Sequence, residues 1–177
     1  MTSSTQIAFL GTGLMGGPMA RRLLKGDFSL TVWNRTANKT EAVVEAGAKV
    51  AAAPTEAAAE AAVVITMLKD GPAVEDLLFQ QGMAVAMRPG TLFIDMGSIA
   101  PAEAKEHARR LAEGKVRCLD APVSGGTKGA DAGELAIMVG GSPEDFAAAE
   151  PVFTPMGKAT HVGPLGAGQL CKLANQI

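Results

Sequence analysis

The sequence predicts an α/β fold in which helices cover both faces of a doubly wound, mostly parallel sheet. Two observations lead to this prediction. Short apolar runs alternate along the chain with segments whose apolar residues recur at the spacing of an amphipathic helix. The first apolar run, residues 7–10, leads directly into a G-x-G-x-x-G pattern and then into a helical pattern. Such alternation of strands and helices is typical of parallel sheets with crossover helices.

The predicted elements follow one another with short connections. The first helix carries Met15, Met19 and Leu23 at helical spacing. A later helix has Pro101 in its first turn and Gly114 directly after its end. Residues 121–133 are rich in glycine and are predicted to be irregular. Further strands are predicted at residues 28–33, 49–52, 63–68, 91–95, 116–120, 135–139 and 159–162, and further helices at 39–46, 55–61, 72–79, 101–113, 143–156 and from 169 onward.

The composition excludes several classes of function. The chain of 177 residues is 47% hydrophobic and has a net charge of -2, so nothing indicates binding to nucleic acid or to an anionic membrane. The two cysteines are isolated and only two histidines occur, so no metal site is predicted. The first residues do not resemble a signal peptide, and the longest apolar run is too short to span a bilayer. A cytoplasmic location is therefore expected.

Three glycines in the first turn predict a dinucleotide site. Gly11 permits a sharp turn from strand to helix, Gly13 lets a pyrophosphate approach the backbone, and Gly16 lets the helix pack closely on the strand. The free N–H groups at the start of the helix favour the phosphate charge. A simple glycine-rich turn in an α/β core is the alternative. The position of the glycines between a strand and a helix favours a Rossmann-type site.

The end of the second predicted strand favours NADP(H) over NAD(H). Sites for NAD usually carry an acidic residue there, which binds the ribose 2′-hydroxyl. This chain instead has Asn34, Arg35 and Thr36. A guanidinium can bind a 2′-phosphate with two hydrogen bonds, and the neighbouring amide and hydroxyl add donors. The alternative is a solvated arginine and use of both cofactors.

Candidate site residues follow several later strands, because ligands of an open parallel sheet bind beyond the carboxyl ends of the strands. Asp95 and Asp120 end two of these strands and are predicted to hold loops. The Ser124 hydroxyl and the N–H groups beside it suit a substrate carboxylate, with a tight loop as the alternative. The residues placed at this edge are Met67, Leu68, Ser98, Ser124, Gly125 and Gly126.

Lys172 and Asn175 are the candidate catalytic residues. They lie three residues apart in the last predicted helix, so they share one of its faces. A lysine amine close to a nicotinamide can give a proton to a carbonyl oxygen or take it back. From the spacing alone, a solvated helix face remains the alternative.

Seven segments, taken in their order, resemble the β-hydroxyacid dehydrogenase family: FLGTGLMGGPMA, VWNRT, ITMLKD, PGTLFIDMGSIAP, DAPVSGG, LAIMVGG and GAGQLCKLANQ. The resemblance implies an NADPH-dependent oxidoreductase that interconverts a small β-hydroxy acid and its semialdehyde, of the tartronate, succinate or methylmalonate type. It implies that Lys172 is the general acid/base, with Asn175 beside it. The other implied roles are the pyrophosphate turn for Gly11, Gly13, Leu14 and Met15; the adenosine ribose for Asn34, Arg35 and Thr36; the cofactor for Met67, Leu68 and Ser98; and the substrate carboxylate for Ser124, Gly125 and Gly126.

The resemblance also implies a division of the chain at residue 163. Residues 1–163 correspond to the NADP-binding domain and residues 164–177 to the start of an interdomain helix. The all-helical C-terminal domain of the family, which builds homodimers or homotetramers, is absent from this chain. The fragment alone is therefore expected to bind NADP(H) but to be inactive. A non-catalytic NADP-binding or scaffold module and an imine reductase-like enzyme are alternatives, and the presence of Lys172 argues against both.

Overall fold

The computed structural model describes residues 5–176, which form nine strands and nine α-helices around one sheet. A 3₁₀ turn, Ala37–Thr40, precedes α2, and a π-helical turn, Asp76–Gln80, follows α4. The strands are β1 Gln6–Leu10, β2 Ser29–Trp33, β3 Lys49–Val50, β4 Val63–Thr66, β5 Leu92–Asp95, β6 Arg117–Asp120, β7 Val123–Ser124, β8 Leu135–Gly140 and β9 Gly157–Gly163. The helices are α1 Gly16–Lys25, α2 Glu41–Glu45, α3 Pro54–Ala59, α4 Gly71–Glu75, α5 Met83–Ala86, α6 Pro101–Glu113, α7 Gly126–Ala132, α8 Pro143–Phe153 and α9 Ala167–Asn175.

The sheet has the order β3-β2-β1-β4-β5-β6-β8-β7, and β9 pairs with β8. The strands from β3 across to β6 are all parallel. The eighth strand is antiparallel to β6 and β7 but parallel to β9. The doubly wound, mostly parallel sheet that the sequence predicts is therefore confirmed.

Among the helices of residues 5–176, none combines the length and the apolar character needed to cross a bilayer.

Both faces of the sheet are buried, which explains why its central strands are apolar at nearly every position. In β1, Ile7 and Phe9 belong to a buried cluster that also contains Leu23 of α1. The alternate residues Ala8 and Leu10 belong to a second buried cluster, formed with helices on the opposite face. These four side chains are at most 1% exposed, and only Gln6, the first residue of β1, is exposed. Burial on both faces fixes β1 as the centre of the fold and sets the position of the turn that follows it.

The prediction of an irregular segment at residues 121–133 was wrong. This segment forms β7 and α7, and α7 packs against α1. Gly125 and Gly126 precede or begin the helix with positive φ angles of 134° and 60°, and Gly133 ends it with φ 72°. Because glycine accounts for much of the segment, its sequence has little helical character of its own. Burial of Ala130 and an exposed ion pair between Arg21 and Asp131 are tertiary contacts that the sequence pattern did not reveal.

Two other differences from the prediction concern helices, while the bounds of several predicted elements shift by a few residues. The short helix α5 was not predicted at all, and its N-cap residue Gly82 is left-handed. The last helix, α9, starts at Ala167 rather than at residue 169, after the left-handed N-cap Gly166. The earlier start matters because it places the helix N-terminus directly at the carboxyl edge of the sheet.

β6 and β7 pair with the same edge of β8, one after the other. Asp120 pairs with Gly140, and Val123 and Ser124 pair with the residues of β8 that continue the same register. Ser124 therefore lies beyond the point at which β6 ends, past the carboxyl edge of the parallel strands.

A row of four residues crosses that carboxyl edge: Thr66, Asp95, Asp120 and Gly140 are successive partners on adjacent strands. The Thr66 hydroxyl donates to Asp95 Oδ1 over 3.0 Å, and the Gly97 amide donates to the same oxygen over 3.1 Å. Asp95 therefore holds the loop that follows it, as the sequence predicts. Within residues 5–176, Asp95 Oδ2 is buried without a hydrogen-bond partner.

Burial raises the pKa of Asp95 from 3.8 to about 7, and the nearby Asp120 adds to this rise, against the two hydrogen bonds that favour the ionised form. In the unfolded chain the group titrates near its ordinary pKa. Between pH 4 and pH 7, the folded chain therefore holds a proton that the unfolded chain has lost. Linkage then requires that stability falls as pH rises through this range and is level above it.

We predict that Asp95→Asn removes this fall in stability. In the unsubstituted chain the contribution of Asp95 to the free energy of unfolding declines by up to ~4 kcal/mol between pH 4 and pH 8, since one pKa unit corresponds to about 1.4 kcal/mol. Urea unfolding at several pH values measures the difference between the two proteins. Glu45→Gln, at an exposed carboxyl, should keep the decline. Parallel curves for Asp95→Asn and the unsubstituted chain would contradict the prediction.

Candidate functional site

The turn between β1 and α1 brings backbone against backbone. Gly11 has φ 99°, and its amide donates to the Trp33 carbonyl over 2.9 Å. A Cβ atom on Gly11 would lie 2.3 Å from the Met67 carbonyl oxygen, and one on Gly16 would lie 1.8 Å from the Gly11 carbonyl oxygen. No side chain fits at either position. The turn and the first residues of α1 therefore sit directly on the ends of β1 and β4.

The space at Gly13 is open, in contrast to the crowding at the other two glycines. A Cβ atom on Gly13 would meet no other group within 4 Å. The N-cap residue of α1 is Met15, and its side chain makes no capping bond. In this helix of ten residues the Gly17 amide donates to the Gly13 carbonyl over 2.9 Å and Pro18 has no N–H, so a phosphate in the open space would bind the amides that precede them. These residues fit a dinucleotide pyrophosphate.

A cleft of about 300 Å³ runs from this turn across the ends of β2 and β4. We call it the glycine-turn cleft. It brings together seven of the predicted cofactor residues, namely Gly11, Gly13, Asn34, Arg35, Thr36, Met67 and Leu68, with Trp33, Lys39, Lys69, Ala73, Asp76, Leu77 and Gln81. Leu14 and Met15 follow the turn but lie outside this lining; Leu14 is 85% exposed, and Met15 packs partly against the core.

Asn34 joins the two halves of the cleft. Its side-chain oxygen accepts from the Thr12 amide over 3.0 Å, and its side-chain nitrogen donates to the Thr36 carbonyl over 2.9 Å. The amide thus ties the glycine turn to the loop that carries Arg35. An apolar side chain could form neither bond, so the Asn34 amide holds the loop in place beside the turn.

Positive charge predominates in the glycine-turn cleft. Arg35 and Lys39 line it with exposed side chains. Lys69 also lines it and pairs with Asp70 over 3.3 Å. The carboxylate of Asp76 accepts a hydrogen bond from Gln81 over 2.6 Å. The arrangement leaves Arg35 and Lys39 as cations that can bind an anionic group of a ligand.

A second cleft, of about 430 Å³, contains the predicted catalytic lysine. We call it the lysine cleft. It adjoins the glycine-turn cleft, because residues 67–69 line the first and residues 70–72 line the second. Lys172 is half-buried, and Ser98 lies in the same lining. The full lining is Asp70, Gly71, Pro72, Ser98, Ile99, Ala100, Glu103, Gln169, Lys172, Leu173 and Gln176.

The remaining predicted residues lie outside both linings. Asn175 is exposed on α9. Ser124, Gly125 and Gly126 form the junction of β7 and α7, beyond the carboxyl edge of the sheet. The structure thus brings Lys172 together with Ser98 and does not bring either into one cleft with Ser124. The roles of these residues toward a substrate stay predictions.

Two polar residues that organise the lysine cleft were not among the predicted site residues. Asp120 is 1% exposed, and its Oδ1 and Oδ2 accept from the amides of Gly166 and Gln169 over 2.7 and 2.8 Å. Gln169 is also 1% exposed, with its side chain bonded to the loop around Ser98. The sequence predicted that Asp120 holds a loop, which is confirmed. Gln169 gave no indication of burial, because a glutamine beside apolar helix residues usually lies on the surface.

A family model described as the NAD binding domain of 6-phosphogluconate dehydrogenase matches residues 6–164. That match includes the glycine turn, the sheet and both aspartates of the carboxyl edge. The chain belongs to this family. Several of the similar proteins are named 3-hydroxyisobutyrate dehydrogenase or L-serine dehydrogenase, so the resemblance to the β-hydroxyacid dehydrogenases is confirmed.

The chain is 44% identical over 172 residues to an NAD-dependent L-serine dehydrogenase of Pseudomonas aeruginosa, covering 96% of this chain and 58% of the relative. A solved structure of Mycobacterium tuberculosis 3-hydroxyisobutyrate dehydrogenase with L-serine has a TM-score of 0.94 and 40% identity, covering 98% of this chain and 59% of the other. The chain thus spans somewhat more than half the length of these proteins. An imine reductase of Streptomyces aurantiacus has a TM-score of 0.89 and 28% identity, covering 97% of this chain and 60% of the other. The fold is therefore common to two classes of reductase.

We predict that alanine at Gly13 lowers NADPH affinity, whereas alanine at Gly16 lowers the stability of the fold. Gly13→Ala places its methyl group in open space, so the free energy of unfolding should change by less than ~1 kcal/mol while NADPH affinity falls at least about tenfold, since the methyl group occupies the phosphate space. Gly16→Ala forces its methyl group against the Gly11 carbonyl and should destabilise the fold by about 3 kcal/mol.

Urea unfolding and NADPH titration followed by the fluorescence of Trp33 measure both effects. Trp33 is the single tryptophan and lines the glycine-turn cleft. Gly114→Ala, where a Cβ atom would meet its nearest neighbour at an ordinary 3.6 Å, is the control and should bind NADPH normally. Unchanged NADPH binding by a folded Gly13→Ala chain would show that the phosphate does not lie at this turn.

Proposed function

We propose that this chain is the NADP(H)-binding and proton-transferring part of an oxidoreductase that interconverts a small β-hydroxy acid and its semialdehyde. One observation carries the proposal: Lys172 lies in a cleft that adjoins the glycine-turn cleft of a dinucleotide-binding family. A proton donor and a dinucleotide site thus occur side by side. Reduction of a carbonyl group needs both, because one hydride and one proton must reach the same carbon–oxygen bond.

The charges of the glycine-turn cleft support a preference for NADP(H). Arg35 and Lys39 line the cleft at the end of β2, where an acidic residue would favour the 2′-hydroxyl of NAD. The guanidinium of Arg35 suits two hydrogen bonds to a phosphate, and the amine of Lys39 adds a second positive charge. The Asn34 bridge holds this loop against the glycine turn, so the two phosphate sites keep a fixed separation.

The chemistry divides between the cofactor and the protein. When bound, the nicotinamide supplies or accepts a hydride. Lys172 gives a proton to the carbonyl oxygen in the direction of reduction and accepts it from the hydroxyl group in the direction of oxidation. Asn175, one turn further on α9, orients that oxygen. The Ser124 hydroxyl and the amides of Gly125 and Gly126 bind the substrate carboxylate.

The names of the relatives support the choice of a small β-hydroxy acid. L-Serine and 3-hydroxyisobutyrate each carry a carboxylate on the α-carbon and a hydroxyl group on the β-carbon. Tartronate and methylmalonate semialdehydes carry the reducible carbonyl at the same β-position, whereas succinate semialdehyde carries it one carbon further from the carboxylate. The presence of Lys172 favours such a substrate over the imine of an imine reductase, and it also argues against a non-catalytic scaffold module.

We predict that Arg35→Asp weakens NADPH binding about 100-fold and NADH binding less than about threefold. The substitution removes a charge-assisted pair with the 2′-phosphate and adds a repelling charge, neither of which affects a ligand that lacks this phosphate. Quenching of Trp33 fluorescence by each nucleotide measures the two affinities. Lys25→Asp is the control, because it makes the same change in net charge at the exposed last residue of α1, which does not line the glycine-turn cleft. Equal losses for the two nucleotides would exclude a role of Arg35 at the 2′-phosphate.

We predict that Lys172→Ala lowers kcat between about 10² and 10⁴-fold, since general acid/base groups contribute factors of this size. NADPH affinity should stay within about threefold, because Lys172 lies outside the glycine-turn cleft. The assay uses the complete oxidoreductase polypeptide of which this chain is proposed to be a part. Turnover of L-serine and 3-hydroxyisobutyrate is followed by nicotinamide absorbance. Lys25→Ala provides the comparison. Retained turnover after loss of Lys172 would remove this residue from the mechanism and refute the proposed function.

A further inference from the structure

The N-terminus of α9 lies so close to the sheet that two of the residues at the contact must be glycines. A Cβ atom on Gly168 would lie 2.4 Å from the Met138 carbonyl oxygen and 2.8 Å from that of Asp120. A Cβ atom on Gly140 would lie 2.8 Å from the Gly168 amide nitrogen. The first turn of α9 therefore lies directly on the carboxyl edge formed by β6 and β8, and it cannot slide without a clash.

Asp120 joins this helix end to the sheet. Its Oδ1 accepts from the Gly166 amide and its Oδ2 from the Gln169 amide, over 2.7 and 2.8 Å. Both oxygens of a buried carboxylate are thus used by backbone groups at the start of one helix. The bonds fix the rotation of α9 as well as its position, because one carboxylate holds the amide of the N-cap residue and that of the third helical residue, which lie on the same side of the helix start.

Gln169 joins the same helix to the loop that carries Ser98. Its Nε2 donates to the Gly97 carbonyl over 2.8 Å, and its Oε1 accepts from the Ile99 amide over 3.1 Å. The two bonds reach the residues on either side of Ser98. Gly97 also donates to Asp95, so the loop is held from β5 as well.

These contacts determine where the Lys172 amine lies. Gln169 and Lys172 are three residues apart on α9 and share a face, and both line the lysine cleft with Ser98. A rotation of α9 by one residue, about 100°, would move Lys172 out of this cleft. The rotation is opposed by Asp120 from the sheet and by Gln169 from the loop.

We propose that Asp120 and Gln169 are positioning residues that hold Lys172 at a fixed place beside Ser98. The proposal rests on the proposed function, in which Lys172 transfers the proton. A displacement of about 1 Å at a reacting group is enough to cost about 100-fold in rate. Loss of the hydrogen bonds of either residue should therefore lower kcat, while the glycine-turn cleft, which neither residue lines, remains intact.

The test uses Gln169→Leu, which has a similar volume and cannot form either bond, and Asp120→Asn, which keeps one acceptor oxygen. In the complete polypeptide, we expect Gln169→Leu to lower kcat about 100-fold and Asp120→Asn to lower it at least about tenfold. NADPH affinity, measured through Trp33, should stay within about threefold, and this also shows that the variants are folded. The control is Gln80→Leu, at an exposed glutamine of the π-helical turn.

A double-mutant cycle separates positioning from a general structural effect. If Gln169 acts through Lys172, then Gln169→Leu should cause no further loss of kcat in a Lys172→Ala background. Losses that multiply in the double variant would refute positioning, and so would a folded Gln169→Leu variant with unchanged kcat. An active Lys172→Ala variant would instead refute the proposed function and, with it, the need for a positioned lysine.

A second readout needs neither cofactor nor turnover. In the 177-residue chain without nucleotide, an amine-directed acylating reagent should label Lys172 several-fold faster after Gln169→Leu or Gln169→Glu, because the half-buried side chain is released toward solvent. Peptide mass spectrometry measures the rate, with exposed Lys25 as the internal reference. Gln169→Glu keeps the acceptor for the Ile99 amide and serves if the leucine variant does not fold. Equal labelling rates in all three proteins would contradict the proposal.

Discussion

Both clefts depend on one constraint, which is the close approach of a helix N-terminus to the carboxyl edge of the sheet. At the first cleft, Gly16 lets α1 begin against the Gly11 carbonyl. At the second, Gly140 and Gly168 let α9 begin against β6 and β8. In each case polypeptide backbone occupies the space that a side chain would fill. The close contact fixes the first turn of the helix, and with it the position of the residues that follow in the helix. The candidate chemistry of the chain lies between these two helix ends.

The two sites differ in how they are held. The glycine-turn cleft is formed by residues within the first half of the chain, and Asn34 links the glycine turn to the loop after β2. The lysine cleft is assembled from distant parts of the sequence, since Gln169 bonds to residues about seventy positions earlier. The glycine-turn cleft needs β1, α1 and β2 together with residues 67–81, which follow β4. The lysine cleft exists only when the whole sheet, including its reversed strand β8, is complete.

The sequence predicted the part of the fold in which local pattern and tertiary burial agree. The strands buried on both faces were evident because they are continuous apolar runs, and the glycine turn was evident because each glycine meets a separate steric demand. Helix α7 was missed because its glycines lower its helical character and its burial depends on α1. Of the predicted site residues, those after β1, β2 and β4 share one cleft because they end adjacent strands. Gln169 was missed because only the folded chain shows that its polar atoms face the Gly97 and Ile99 backbone.

The π-helical turn at Asp76–Gln80 determines which side chains form the far wall of the glycine-turn cleft. The Gln81 amide bonds to the Asp76 carbonyl, five residues earlier, and Asp76, Leu77 and Gln81 all line the cleft. One surplus residue in the turn produces this arrangement. Deleting a single residue there would restore ordinary α-helical winding and swing every later side chain by about 100°. The shape of this wall is therefore set by the length of the segment, and homologues that differ by one residue here would present a different surface to the glycine-turn cleft even with the same amino acids.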